Sequence, residues 1–156
     1  MPNALYTLQS DDWQVGILPE TGGSVAFGRV RVDGEWQDVM RPTDEADYGN
    51  ASACASFIML PWANRLRDAR FRFRDVDYPL EPTSADGTAI HGVVRKLPWR
   101  VISADTMHIR VMFDTALFEK VNYPFAFSAE AEYRVEGCDF VLSLSLTNED
   151  RQPIPA

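Results

Sequence analysis

The chain has 156 residues and a formal net charge of −8 at pH 7, with 46% hydrophobic and 24% charged residues. These proportions are close to ordinary globular usage, so they exclude a disordered chain and a disulfide-dense scaffold. The negative charge without any Lys/Arg block excludes a nucleic-acid partner, and no apolar run approaches the roughly 20 residues of a membrane helix.

The first residues, MPNALYTLQSDDW, lack both the basic start and the apolar stretch of a secretory signal peptide. We therefore expect no membrane association and a cytoplasmic location. Thiols stay reduced in that compartment, and Cys54 and Cys138 are far apart with no metal-type spacing. Both are expected to be free, structural thiols.

The first half of the chain contains turn signals between short strand-like runs. The segment TGGS, Thr21 to Ser24, is typical of a turn. In RVRVDGEWQDVM, Asp33-Gly34 stands between two such runs and predicts a hairpin, because glycine tolerates the positive φ that the turn needs. The Ala-rich segment NASACASFIMLPW follows, and Pro61 would end any helix there. We interpret it as an irregular crossing or a buried strand.

Period-2 alternation dominates the rest of the sequence. In RFRFR, residues 70–74, phenylalanine alternates with arginine. TMHIRVMFD alternates with Met107, Ile109, Val111 and Phe113 on one face. YPFAFSAEAEYRV and the run after residues 136–139 also alternate, with Gly137 between them, and together predict a second hairpin. Alternation of this kind is typical of half-buried strands.

We infer one all-β unit over residues 1–156, with its strands in two layers. A chain of this length can bury roughly two-thirds of its unfolded surface, which suffices for a core. The sequence ends at RQPIPA directly after a strong strand and without a closing element. We therefore expect the fold to be a partial one.

Asn64-Arg65 is the first candidate for a binding function. The pair lies between Pro61 and the strand at residues 70–74, in a loop. A guanidinium presents five donors in a planar fork, and an amide both donates and accepts, so the pair suits vicinal sugar hydroxyls. The alternative is an arginine that forms a surface ion pair with one of many carboxylates, such as Asp68 or Asp75, and contributes little.

The two histidines have different contexts. His91 follows a turn-rich stretch and precedes Gly92, where the chain can bring an imidazole and a backbone close to a ligand. His108 lies within an alternating strand, on the face opposite Ile109, and is expected to face solvent or a partner sheet. A purely structural role for His91 remains the alternative.

Among the remaining candidates, Trp62 and Trp99 could present flat faces to a pyranose, although core packing is the simpler interpretation of Trp99. The acidic clusters at residues 41–47 and 75–86 are interpreted as solvated loops. Zinc and calcium spacings, nucleophile elbows, phosphate-binding glycine loops and dinucleotide fingerprints are absent. The sequence thus predicts neither a metal nor a cofactor.

Several segments, taken in order, resemble the aldose 1-epimerases, or mutarotases, of the galactose-mutarotase-like superfamily. The resemblance extends over nearly the whole chain, through an N-R pair before a strand, an H-G pair roughly 25 residues later, and an N-x-x-x-x-P-x-P ending. The segments are GGSVAFGRV, PWANRLRDARFRF, IHGVVRKLPW, YPFAFSAEAEYRV and LSLTNEDRQPIP.

The resemblance implies a β-supersandwich with a carbohydrate cleft, and interconversion of the α and β anomers of a free hexose. It implies that Asn64 and Arg65 bind sugar hydroxyls and that His91 contacts and orients the substrate. The family's proton-donor histidine and proton-acceptor glutamate lie beyond the matched segments, so this sequence resembles roughly the first half of a family member. His91 is then the one catalytic candidate, and weak or no turnover is expected from the chain alone.

Half of a supersandwich would expose strand edges and one core face, so we expect self-association or a complementing second half. Two other functions remain open. One is a non-catalytic carbohydrate-binding module. The other is a relative of the hexose-6-phosphate epimerases, for which a phosphate site would be formed by cationic side chains. The candidates for that site are Arg67, Arg70, Arg95 and Lys96.

Overall fold

The structure is a computed structural model that describes residues 3–156. That part of the chain is built from antiparallel strands, tight turns and short 3-10 segments, and it contains no helix long and apolar enough to cross a membrane. The strands are β1 Tyr6–Gln9, β2 Trp13–Leu18, β3 Ser24–Val32, β4 Glu35–Met40, β5 Arg65–Leu66, β6 Arg70–Phe73, β7 Val76–Pro79, β8 Ala89–Ile90, β9 Arg100–Ala104, β10 His108–Asp114, β11 Phe127–Glu136 and β12 Asp139–Asn148. The 3-10 segments are Pro19–Thr21, Glu45–Asp47, Ala51–Ala53, Arg67–Ala69, Val94–Lys96 and Thr115–Leu117.

Two four-stranded sheets form the main layers. One has the order β1-β2-β3-β4, and the other has the order β12-β11-β10-β9. Two small ladders, β5-β8 and β6-β7, accompany them. The all-β, two-layer fold predicted from the sequence is confirmed.

The hydrophobic core lies between the two main sheets. Alternate residues of β11, from Phe127 to Val135, are buried, as the period-2 pattern predicts. They pack with Val15 and Ile17 of β2 and with the buried residues of β10. The hydroxyl of Tyr133 crosses the core and donates a hydrogen bond to the carbonyl of Gly23, which ties the layers together.

Both predicted hairpins are present. Asp33 and Gly34 connect β3 to β4 with φ values of 51° and 86°, as a two-residue turn with two left-handed positions requires. Gly137 lies in the turn between β11 and β12, with φ of 56°. The predicted TGGS turn is also observed, and Gly22 and Gly23 in it have positive φ.

Met107 does not follow the predicted alternation. It precedes β10 and is 46% exposed, whereas Ile109, Val111 and Phe113 are fully buried. The reason is a local turn in which the backbone amide of Met107 donates to the carboxylate of Asp105 at 2.8 Å. Because of that hydrogen bond, β10 begins at His108, one residue later than the sequence pattern predicts.

The Ala-rich segment is an irregular crossing, which is one of its two predicted forms. Asn50 caps the 3-10 segment Ala51–Ala53 by accepting a hydrogen bond from the amide of Ser52. Ser56 then forms an isolated bridge with Val25 of β3. The segment thus connects β4 of the first sheet to β5 of the β5-β8 ladder.

One edge of the second sheet carries exposed leucines. Leu142 and Leu144 of β12 are paired with Tyr133 and Ala131, whose side chains lie in the core. Leu142 and Leu144 nevertheless remain 41% and 45% exposed. The apolar face of β12 therefore extends beyond the cover that the first sheet provides.

Gly92 allows the chain after β8 to pack directly against the backbone before β5. A Cβ at Gly92 would lie 1.9 Å from the carbonyl oxygen of Leu60, and the φ of Gly92 is 66°. The next residue, Val93, donates its amide to that same carbonyl at 2.7 Å. Only glycine fits this contact, because it has no side chain and tolerates the left-handed conformation.

We predict that Gly92→Ala destabilises the fold more than Gly87→Ala. Both glycines have positive φ, so either alanine costs about 1–2 kcal/mol of backbone strain. Gly87 has no atom within 4 Å of the added Cβ, whereas at Gly92 the methyl meets the Leu60 backbone. Overpacking of that kind costs roughly a further 1–3 kcal/mol. Denaturant unfolding of the two variants measures the difference, and equal losses would contradict the tight contact.

Candidate functional site

The β5-β8 ladder brings the three predicted binding residues together. Arg65 pairs with Ile90 and Leu66 pairs with Ala89. Next to this ladder the backbone amide of His91 donates to the carbonyl of Asn64 at 2.8 Å. Asn64 and His91 therefore face each other at one end of the ladder, with Arg65 beside them.

Asn64 and His91 both have a left-handed backbone. Their φ values are 58° and 59°, a conformation that is uncommon for residues other than glycine. Such conformations persist where the surrounding structure determines them, and they occur often at ligand sites. Here the hydrogen bond between the two residues and the contact of Gly92 with Leu60 hold the turn in place.

The Arg65 guanidinium is held by the loop before β8. Its Nη1 contacts an Asp86 carboxylate oxygen at 2.9 Å and the hydroxyls of Ser84 and Thr88 at 3.2 Å. Arg65 thus forms an ion pair, but with Asp86 rather than with Asp68 or Asp75. The side chain is 50% exposed, so a ligand can reach the rest of its donor fork.

Asp86 is fixed as an anion. Hydrogen bonds from the hydroxyl and the backbone amide of Thr88, followed by the contribution of Ser84, lower its pKa to about 2. The carboxylate is therefore ionised at neutral pH, and it has no proton to donate. Its role here is to orient Arg65.

The imidazole of His91 is partly buried against Phe57. The two rings meet edge to face with centroids 5.6 Å apart, and Nδ1 is buried without a hydrogen-bond partner among the described residues. Burial, and then the positive charges of Arg95 and Arg65, lower the pKa of His91 below 6.5. His91 is consequently neutral at pH 7, with one ring nitrogen able to donate and the other able to accept.

The Asn64 side chain is exposed and makes no hydrogen bond within the described residues. Its amide is available to a ligand in both directions, as donor and as acceptor. Asn64, Arg65 and neutral His91 together offer several donors and at least two acceptors on adjoining backbone segments. That combination suits a neutral ligand with several hydroxyl groups.

The other predicted candidates are elsewhere. His108 lies on the outer face of β10, with Nε2 3.0 Å from the carboxylate of Glu132. Trp99 is in the core and packs on Phe113. Trp62 lines a small cleft of about 200 Å³ with Leu66 and Tyr123, and Asn64, Arg65 and His91 do not line that cleft. Both cysteines are free, Cys54 being buried and Cys138 exposed.

The sequence did not predict four of the residues that shape the site. Phe57 packs on His91, and its position in an irregular Ala-rich segment carries no signal for such a contact. Ser84, Asp86 and Thr88 form the cradle of Arg65, and the run SADGT is a turn signature that could have indicated it. Within the described residues no group of three or more His, Cys, Asp or Glu side chains is arranged to hold a metal ion.

Comparison with known proteins identifies the family of the chain. The family model for aldose 1-epimerase matches residues 5–156. A comparison with curated proteins gives no match.

Solved structures with the same fold share little sequence with this chain. A GalM/aldose epimerase homologue from Caenorhabditis elegans aligns with a TM-score of 0.79 and 15% identity over 95% of this chain and 47% of its own. A candidate aldose 1-epimerase from Escherichia coli K12 aligns with a TM-score of 0.76 and 18% identity, over 93% of this chain and 46% of its own. A galactose mutarotase-like protein from Lactobacillus casei aligns with a TM-score of 0.70 and 14% identity, over 96% of this chain and 46% of its own.

These structural likenesses support the galactose-mutarotase-like β-sandwich fold. The chain spans a little under half the length of each of these three proteins. The match of the family model over residues 5–156 is more specific than the fold alone, because it covers nearly the whole sequence. The chain belongs to the aldose 1-epimerase family.

Proposed function

We propose that the chain binds a free aldohexose through Asn64, Arg65 and His91. The observation that carries this proposal is the backbone hydrogen bond between His91 and Asn64, which gathers an amide, a guanidinium and a neutral imidazole beside one short ladder. Sugar hydroxyls both donate and accept, and these three groups match both needs. The family's action on sugars agrees with the same ligand class.

The chemistry that such a site serves is exchange between α and β anomers. Opening of the ring needs a proton on the ring oxygen and removal of a proton from the C1 hydroxyl, and closure needs the reverse. Burial and the nearby arginines lower the pKa of His91, so its imidazole is neutral at pH 7 and can take part in one of these transfers. Asp86 is a weak base, because hydrogen bonds hold its pKa at about 2, and His108 lies on the outer face of the second sheet, so neither is suited to be the second group.

We therefore expect the chain alone to bind sugar but to show weak or no anomer exchange. A positioned acid or base contributes about 100- to 10,000-fold in rate, and among residues 3–156 neither Asp86 nor His108 supplies the second one. The alternative function, a non-catalytic carbohydrate-binding module, is favoured by the same observation. Binding and turnover must be measured separately to distinguish the two.

The cytoplasmic location expected from the sequence stays a prediction.

A second part of the proposal concerns the open edge of β12. This strand lies at the end of its sheet, and Leu142 and Leu144 continue the core face into solvent. Unpaired edges and exposed apolar faces of this kind pair with further polypeptide. We propose that a second copy of the chain, or a complementing segment with the rest of the family fold, covers this edge.

The sugar site is tested by variants that preserve the backbone. We expect Asn64→Gly, Arg65→Lys and His91→Asn each to weaken glucose or galactose binding about tenfold, because each removes one hydrogen-bonding group. Glycine and asparagine keep the left-handed conformation at their positions. Isothermal calorimetry measures the affinity, and polarimetry of α-glucose or α-galactose measures anomer exchange.

His108→Asn is the matched control, since it removes the other imidazole from a surface outside the site. It should leave the affinity unchanged. Equal weakening by His91→Asn and His108→Asn, or no binding by the unaltered chain, would overturn the sugar site. Fast exchange by the purified chain would instead overturn the statement that one proton-transfer group is missing.

Sugar affinity should depend on pH through His91. The lowered pKa means that the imidazole stays neutral above pH 6.5 and becomes charged only at lower pH. We expect a constant affinity from pH 8 down to 6.5 and a loss below the pKa of His91, because the imidazolium cannot accept a hydrogen bond. Calorimetry across this range checks it. In His91→Asn this loss should vanish, and a loss of the same size in that variant would assign the titration to another group.

Self-association through β12 is tested with leucine variants. We expect the unaltered chain to form dimers or larger species in light scattering, and Leu144→Lys to shift it towards monomer by placing a charge on the edge. Leu117→Lys is the control, because Leu117 is 58% exposed in the 3-10 segment that follows β10 and is not part of β12. A monomer at every concentration would contradict pairing between copies and leave a complementing segment as the cover.

A further inference from the structure

A buried arginine lies next to the proposed sugar site without a counter-charge. Arg95 is only 5% exposed. Its Nη1 donates to the hydroxyl of Ser52 at 2.8 Å, and its guanidinium carbon lies 5.2 Å from the ring centroid of Phe57. Within residues 3–156, Arg95 has no carboxylate within ion-pair distance.

This arrangement is energetically unusual. Burying a cation without an anionic partner is costly, and a hydroxyl and an aromatic face compensate only part of the lost hydration. Most of the five N–H donors of the guanidinium are left for another partner. The unmatched charge therefore points to an anion that this part of the protein can bind.

The side chain lines a cavity of about 300 Å³. The other lining residues are small, polar or cationic, apart from one carboxylate. They are Glu20, Thr21, Gly49, Asn50, Ala51, Ser52 and Lys96. Glu20 and Lys96 are both exposed, so they lie at the mouth, whereas Arg95 forms the buried wall.

The wall is built by close backbone packing. A Cβ on Gly22 would lie 2.4 Å from the carbonyl oxygen of Arg95, so the TGGS turn presses directly on the Arg95 backbone. Asn50 accepts a hydrogen bond from the amide of Ser52, which fixes the hydroxyl that holds the guanidinium. The position of Arg95 is thus determined on two sides.

We propose that this cavity binds a tetrahedral oxyanion, phosphate or sulfate, with Arg95 as the buried anchor and Lys96 at the mouth. Guanidinium groups bind such anions through two parallel N–H···O hydrogen bonds. Of the four cations considered for a phosphate site, only Arg95 and Lys96 line this cavity. Arg70 pairs with Asp68, and Arg67 lies in the 3-10 segment after β5.

One aromatic ring, Phe57, lies between the cavity and the proposed sugar site. Phe57 contacts the His91 ring at 5.6 Å and the Arg95 guanidinium at 5.2 Å. The anion can accordingly be a free one or the phosphate of a phosphorylated sugar that also reaches His91. Both sources share one chemistry, and the experiment below separates them. The oxyanion site stands independently of the sugar proposal.

The test compares ligands in thermal unfolding of the full chain. Inorganic phosphate should raise the melting temperature relative to sodium chloride of equal ionic strength, because only a ligand that binds the folded state stabilises it. Glucose and glucose 6-phosphate form the other arms. A larger effect of glucose 6-phosphate than of phosphate and glucose together indicates a phosphorylated sugar, and equal effects of phosphate and glucose 6-phosphate indicate a free anion.

Variants assign the effect to the cavity. Arg95→Met should weaken phosphate binding about ten- to a hundredfold, as expected for a lost charge-assisted hydrogen-bond pair. Lys96→Ala should weaken it about two- to fivefold, as expected for an exposed charge. Because Arg95 is buried and its replacement can affect folding, Ser52→Ala serves as a second cavity variant, and Arg151→Ala is the control for loss of an exposed cation elsewhere.

The proposal is overturned if phosphate has no effect beyond that of chloride, or if Lys96→Ala, Ser52→Ala and Arg151→Ala all bind phosphate like the unaltered chain. Glucose binding without phosphate binding would contradict the oxyanion site and support the sugar site. Phosphate binding without glucose binding would contradict the sugar site and support the oxyanion site.

Discussion

The site depends on one steric constraint, the seating of Gly92 on the carbonyl of Leu60. This contact brings the chain after β8 beside the chain before β5, where four residues form the short ladder. Two left-handed residues, Asn64 and His91, then meet across a backbone hydrogen bond. The proposed binding groups are thus positioned by the backbone itself, and the Asn64 amide and part of the Arg65 guanidinium remain open to a ligand.

The ionisable groups around the β5-β8 ladder differ in their charge states and therefore in their roles. Asp86 is held as an anion and occupies part of Arg65, whereas His91 is kept neutral by burial and by two nearby cations. Arg95 is also buried, and among residues 3–156 it has the Ser52 hydroxyl and the Phe57 ring as partners but no carboxylate. In the two proposals, a neutral, hydroxyl-bearing ligand binds beside His91 and an anionic group binds on the far side of Phe57. The Phe57 ring contacts both His91 and Arg95 and would separate the two ligands.

The sheets could be predicted from the sequence because their cause is local. The alternation in β11 and the Asp33-Gly34 turn follow from the period of a strand and from the φ that a tight turn requires. The proximity of Asn64 and His91 could be expected only from the family resemblance, since 27 positions separate them and the contact depends on a glycine seated on a distant carbonyl. The burial of Arg95 and the contact with Phe57 lay beyond sequence reasoning, because they arise in an irregular segment that has no periodicity.

The exposed edge of β12 has a consequence for how the chain behaves before it is covered. The strand is ten residues long, DFVLSLSLTN, and Asp139 is its single charged residue. It contains neither proline nor glycine, and it alternates leucine with serine. Segments of this composition stack readily into cross-β fibrils when left open. Whatever covers this strand in the cell would also act as a safeguard against amyloid-like polymerisation.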